Sequence, residues 1–94
     1  MGRQYSIQYI TGTPEYNVFV CDNTGLNCIY LATIADYDLP FTQEIPAPYD
    51  IMQEYIIKVL YLSRLALQCA YIQYGALSAP QSRGHGCHHY GGTA

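Results

Sequence analysis

From Gln4 to Ile45 the chain never sustains one hydrophobic pattern for longer than a short strand before a turn signal interrupts it. Gln4 to Ile10 alternates, with Tyr5, Ile7 and Tyr9 on one face and Ser6 and Gln8 on the other. A period of two is the signature of a strand with one face covered. Thr11-Gly12-Thr13-Pro14 ends it, because glycine supplies unusual backbone angles and proline cannot continue a ladder. Tyr16 to Cys21 is aromatic and β-branched, with Tyr16, Val18 and Val20 on one face. Asn23-Thr24-Gly25 marks a turn, and Cys28 to Ile34 is a second β-rich run, so the pair reads as a hairpin. Asp36 to Pro40 is a connection, and Phe41 to Ile45 alternates again. Pro46-Ala47-Pro48 blocks a helix or a central strand, since two of three residues lack an N–H.

Residues 50–74 admit two readings. Ile51, Tyr55, Val59, Leu62, Ala66 and Cys69 recur at steps of three and four, a helical stripe. The same stretch also divides into two strands. Tyr55, Ile57, Val59 and Tyr61 alternate with Ile56, Lys58, Leu60 and Leu62, followed by Cys69 to Tyr74 after a connection near Ser63-Arg64. Tyr-Ile-Ile-Lys-Val has the residue types that strands favour. Periodicity does not decide between helix and strand in so dense an apolar run. From Gly75 onward glycine, serine and histidine replace apolar residues, the composition of a flexible tail. The expected organisation is therefore a domain over 1–74 and a tail over 75–94.

Composition narrows the function classes. Only 12% of the 94 residues are charged, about half the 25% of an average domain. Eleven residues are Tyr, two are Phe and none is Trp. A disordered chain has the opposite profile. A nucleic-acid partner calls for a basic surface, whereas four Lys and Arg here face seven Asp and Glu. No apolar run reaches the roughly 18 residues of a membrane span, and the N-terminus has no apolar core of a secretion signal. The charge is also unevenly spread. Residues 1–58 hold two cations against seven acids, a balance of −5, and residues 59–94 hold Arg64, Arg83, all three His and no acid. Such asymmetry favours docking on a complementary neighbour or self-association.

The order of these pieces resembles a known module. Thr11-Gly12-Thr13-Pro14-Glu15-Tyr16 followed by Asn17-Val18-Phe19-Val20 looks like the opening of SprB-type immunoglobulin-like repeats. Ile45-Pro46-Ala47-Pro48 followed by Glu54-Tyr55-Ile56-Ile57-Lys58-Val59 looks like the later half of the same module. The resemblance covers about residues 4–60. Beyond it Leu60 to Gln68 intervenes before Cys69, where the family has a turn into its last strand. Relatives of this kind occur among virion proteins of tailed, crAss-like bacteriophages and as repeats of bacterial surface adhesins. The resemblance implies a two-sheet β-sandwich with a structural, decorating or adhesive role and no active site.

Few residues offer chemistry. Cys21 and Cys28 bracket the hairpin loop and would face each other across it, as a disulfide or as two small buried hydrophobes. Without an export signal, reduced thiols are the default. His85, Cys87, His88 and His89 form the one cluster of metal-ligand type. Adjacent histidines rarely both reach one metal, and no second ligand pair is spaced nearby. A Cys87–His nucleophile lacks the rigid support that catalysis needs. Gly2 and Ser6 fit an N-myristoylation pattern without the second signal that stable anchoring takes. Asp36 and Asp38 are too few for calcium on their own. The tyrosines carry the functional expectation, since they are enriched at interfaces where charge is depleted. Tyr5, Tyr9, Tyr30, Tyr37, Tyr49 and Tyr55 are the candidates for contact surfaces.

The expected protein is all-β, an immunoglobulin-like β-sandwich with a flexible C-terminal tail. It is non-enzymatic, takes no cofactor, and assembles into or decorates a virion made in the host cytoplasm. Its partners are proteins (further copies or other virion components), with neither nucleic acid nor membrane. The alternative is a small α+β regulatory protein, a three-stranded meander with one long helix over about 50–74 that binds a partner through its apolar stripe.

Overall fold

The structure is a computed structural model and describes residues 3–10, 15–63 and 66–76. Six strands run through these residues: β1 (Gln4–Ile7), β2 (Tyr16–Cys21), β3 (Ile29–Ile34), β4 (Phe41–Glu44), β5 (Glu54–Ser63) and β6 (Ala66–Ala76). The helices among them are single 3-10 turns at Asp36–Asp38 and Tyr49–Ile51. All strand pairings are antiparallel. One sheet has the order β3-β2-β5-β6 and the other pairs β1 with β4. The two sheets pack together into an all-β sandwich. A four-stranded sheet facing a pair drawn from the first and fourth strands makes a two-sheet β-sandwich in which the chain crosses repeatedly from one sheet to the other.

The core lies between the sheets. It takes Tyr5 and Ile7 from β1, Tyr16, Val18 and Val20 from β2, and Tyr55, Ile57 and Val59 from β5, all essentially buried. These are alternate positions of β1, β2 and β5, so one face of each of these three strands is committed to the interior. The polar ends of the buried tyrosines find partners where the core meets its rim, as buried phenols require. Tyr5 donates to Gln43 Oε1 at 2.5 Å and Tyr16 donates to Asp36 Oδ1 at 2.9 Å. Tyr49 donates to the Asn27 carbonyl, and the Tyr55 hydroxyl receives Arg3 Nη2 at 3.5 Å.

The long helix over 50–74 does not form. That stretch is β5 and β6, paired over ten positions from Glu54↔Ala76 to Ser63↔Ala66. The apparent helical stripe is divided by the pleat: Tyr55 and Val59 face the core, while Cys69 packs on the opposite face of the sheet. The run is dense in apolar residues because both faces are occupied. Ile56 and Ile72 are buried on the outer face together with Cys21, with Phe19, Cys69 and Tyr74 packed against them. A strand apolar on both faces loses its alternation, and β-branched Ile56, Ile57 and Val59 then tip the choice to strand.

The expected boundary of the tail also moves. Gly75 and Ala76 belong to β6. Gly75 pairs with Tyr55, and a Cβ at Gly75 would lie 2.1 Å from Tyr55 Cζ. The glycine is a seat for a ring, not the start of a linker. Residues 77–94, and with them the rest of the expected tail, lie outside the described residues.

Candidate interaction surfaces

Strand register sorts the connections of the sandwich into two poles. Tyr16 is level with Ile34 and Tyr61, and Ile7 is level with Phe41. The β1–β2, β3–β4 and β5–β6 connections therefore share one pole. Cys21 is level with Ile56, and Gln4 with Glu44. The β2–β3 and β4–β5 connections share the other pole, together with Arg3 and Ala76.

Each pole displays large apolar side chains. At the first, Tyr9 follows the end of β1 and is 71% exposed, and Tyr37 on the 3-10 turn is 89% exposed. Leu62 and Leu67 pair across the β5–β6 hairpin and are also exposed. The turn under Tyr37 is built by its two acidic neighbours. Asp38 accepts the Ala35 N–H at 2.8 Å, and Asp36 accepts the Tyr16 hydroxyl. These two carboxylates are spent on local structure, and the ring between them is left in solvent. Burial, reinforced by the Asp36 bond and its charge, pushes the Tyr16 hydroxyl up to about 12.

The second pole carries the β2–β3 loop, residues 22–28, and this loop is fixed from several directions. Cys21 and Cys28 are joined in a disulfide across its mouth, with Cα atoms 4.0 Å apart. The ladder ends at Val20↔Ile29, so one step beyond it the two chains are free to approach more closely than ladder pairs do. The Asp22 carboxylate accepts the Thr24 hydroxyl, the Thr24 and Leu26 N–H groups at 2.9 and 3.1 Å, and Asn27 Nδ2 at 2.7 Å. These bonds, that of the Thr24 hydroxyl foremost, hold Asp22 down to about 2. Gly25 (φ 84°) and Asn27 (φ 55°) take the left-handed angles that the reversal needs. From outside the loop, Lys58 Nζ donates to the Gly25 carbonyl at 3.1 Å and Tyr49 donates to that of Asn27. This frame displays Leu26, exposed at the tip, beside exposed Ile29 and Tyr30. Tyr30 lies edge-on to Phe19 at 6.0 Å and its hydroxyl meets Thr33 Oγ1.

The six tyrosines expected at contact surfaces divide evenly. Tyr9, Tyr30 and Tyr37 are exposed. Tyr5, Tyr49 and Tyr55 are buried and belong to the core, a correction with a physical cause. Tyr5 and Tyr55 stand on the inward faces of β1 and β5, and Tyr49 is drawn in by its bond to the neighbouring loop. Sequence reading passed over Leu26, Ile29, Ile51, Leu62 and Leu67, which are exposed too. An apolar residue in a strand or turn gives no signal of which side lacks a cover.

Set against protein-family models, curated proteins and solved structures, the chain matches none of them. The expectation of reduced thiols does not hold, for none of the three described cysteines is free and Cys69 is also disulfide-bonded. His85, Cys87, His88 and His89 lie outside the described residues. Among the described residues no group of three or more potential ligands is placed to hold a metal. No helix among them is long and apolar enough to cross a membrane.

Proposed function

We propose that this protein is a non-enzymatic structural module that joins a larger assembly through β3 and the disulfide-bonded loop before it. The observation that carries the reading is the character of that edge. β3 is the outer strand of the four-stranded sheet and reads Ile-Tyr-Leu-Ala-Thr-Ile, without a charge or a proline. Edge strands are ordinarily protected by such residues, since their unpaired N–H and C=O groups invite another chain. The protection here is a bulge at Leu31, where the register with β2 shifts. A pairing partner would add a strand to β3 and meet Leu26, Ile29 and Tyr30 beside it. The rigid loop lowers the ordering cost of such a contact.

The partners that suit this surface are further copies of the chain or other structural proteins. The sequence resemblance favours the virion of a tailed bacteriophage as the setting. Sedimentation velocity over a concentration series tests self-association, and mass spectrometry of purified particles from producing cells tests incorporation. Thr33→Lys, an exposed charge on the β3 edge, is expected to abolish whichever association is seen. A chain that stays monomeric at every concentration and is missing from purified particles would overturn the reading.

A further inference from the structure

Which way each β3 side chain points follows from its opposite number on β2. Ile29, Ala32 and Ile34 stand opposite Val20, Val18 and Tyr16, which face the core, and directly opposed residues share a face of the sheet. Tyr30 and Thr33 lie on the outer face, Tyr30 edge-on to Phe19 and Thr33 donating to Asn17 Oδ1 at 2.9 Å. Leu31, at the bulge, packs against the core together with Ala32. The six residues therefore read in, out, in, in, out, in, and the order is the same from either end. We propose that β3 pairs antiparallel with β3 of a second copy of the chain, about a two-fold axis between Leu31 and Ala32. The proposal rests on the reading of β3 as the contact edge and names the partner that this edge takes.

The bulge is what selects the partner. A strand with strict alternation, such as β2, leaves Leu31 without an opposite number. A second copy repeats the irregularity at the same place and gives every residue a counterpart on its own face: Ile29 opposite Ile34, Tyr30 opposite Thr33, and Leu31 opposite Ala32. Moving this register by one or two residues sets inward residues against outward ones. Moving it by three pairs only half of the strand, centred on Tyr30 or on Thr33. β3 carries no charge, so the axis brings no like charges together. Ile29 is 39% exposed and Leu31 is half-buried, and closing the edge takes both from water. The pairing also sets the disulfide-bonded loop of each copy beside the Asp36–Asp38 turn of the other, because the loop ends where β3 begins and the turn follows where β3 finishes. Leu26 and Tyr37, exposed at opposite poles of one molecule, are thereby brought to the same end of the joined sheet.

Cysteine cross-linking reads the register. Tyr30 of one copy stands opposite Thr33 of the other, and opposed Cα atoms about 4.5–5.5 Å apart are within disulfide reach. The two copies of Tyr30, or of Thr33, are offset by roughly 10 Å along the strand, which is outside it. An oxidised mixture of Tyr30→Cys and Thr33→Cys is expected to give at least ten times more linked dimer than either variant alone, with peptide mass mapping placing the link between the two introduced cysteines. Dimer that forms as readily from Tyr30→Cys alone or from Thr33→Cys alone marks one of the shifted registers and would overturn the pairing. Sedimentation velocity of the wild-type chain keeps the test independent of the variants, and a dimer that dissociates on dilution is expected. A wild-type dimer without a link between positions 30 and 33 would overturn the pairing while self-association stands. A wild-type chain that is monomeric at every concentration yet present in purified particles would overturn it too, and would leave the structural role intact.

Discussion

The ring of Tyr55 is held from two sides. The Arg3 guanidinium stands 5.4 Å from its centroid, and Gly75 lies against its edge. Gly75→Ala would place a methyl group where the ring now is, and overpacking of this kind costs about 1–3 kcal/mol. A lower urea midpoint with an unchanged m-value is the expected result. Tyr16→Phe keeps the edge-on contact with Tyr61 at 6.4 Å and removes the hydroxyl that donates to Asp36, for a smaller loss of about 0.5–1.5 kcal/mol. Asp22 tests the loop by pH. Its carboxyl titrates at about 2, below the ~3.9 of an unfolded chain. The order it supplies is complete above pH ~4 and disappears as pH falls through the folded value. Amide shifts of Thr24 and Leu26, followed by NMR, should titrate with that low midpoint in the wild type and lose the transition in Asp22→Asn.

The β2–β3 hairpin is the element on which association and loop rigidity both depend. Replacing Cys21 and Cys28 together by Ala opens a short loop, which the chain-entropy model values at roughly 2–3 kcal/mol. Thermal unfolding should register that loss, with the β-sheet circular dichroism retained. This hairpin was legible in advance, because β2 matches Tyr16–Cys21 and β3 begins one residue after Cys28. Alternation marks a strand clearly when only one face is covered, as with Tyr16, Val18 and Val20. Residues 50–74 were ambiguous for the opposite reason. Ile56 and Ile72 on one face and Ile57 and Val59 on the other leave no period to read. β1 stops at Ile7 rather than Ile10, so Tyr9, in phase with Tyr5 and Ile7, leaves the core and becomes a surface ring.

The molecule as a whole is fastened by phenols, and alkali should undo it. Burial raises Tyr5 and Tyr71 above their ordinary range, and Tyr16 reaches about 12. A group whose folded pKa lies above its unfolded value of ~10 stabilises fully below that pH and loses its contribution as pH rises through the folded value. Ultraviolet titration should therefore show a late class of tyrosines that ionises together with loss of the fold between about pH 10 and 12. The candidate surfaces were legible only in part, as an excess of tyrosine over charge. Composition counts rings but cannot say which ones a second sheet will cover. The assignment of ends has a further consequence. Arg3 and Gly75 meet at one ring, so the described body begins and finishes at the same pole. Anything tethered there, before Arg3 or after Ala76, would hold the molecule by its base and point Tyr9, Tyr37 and the Leu62–Leu67 pair outward as its tip.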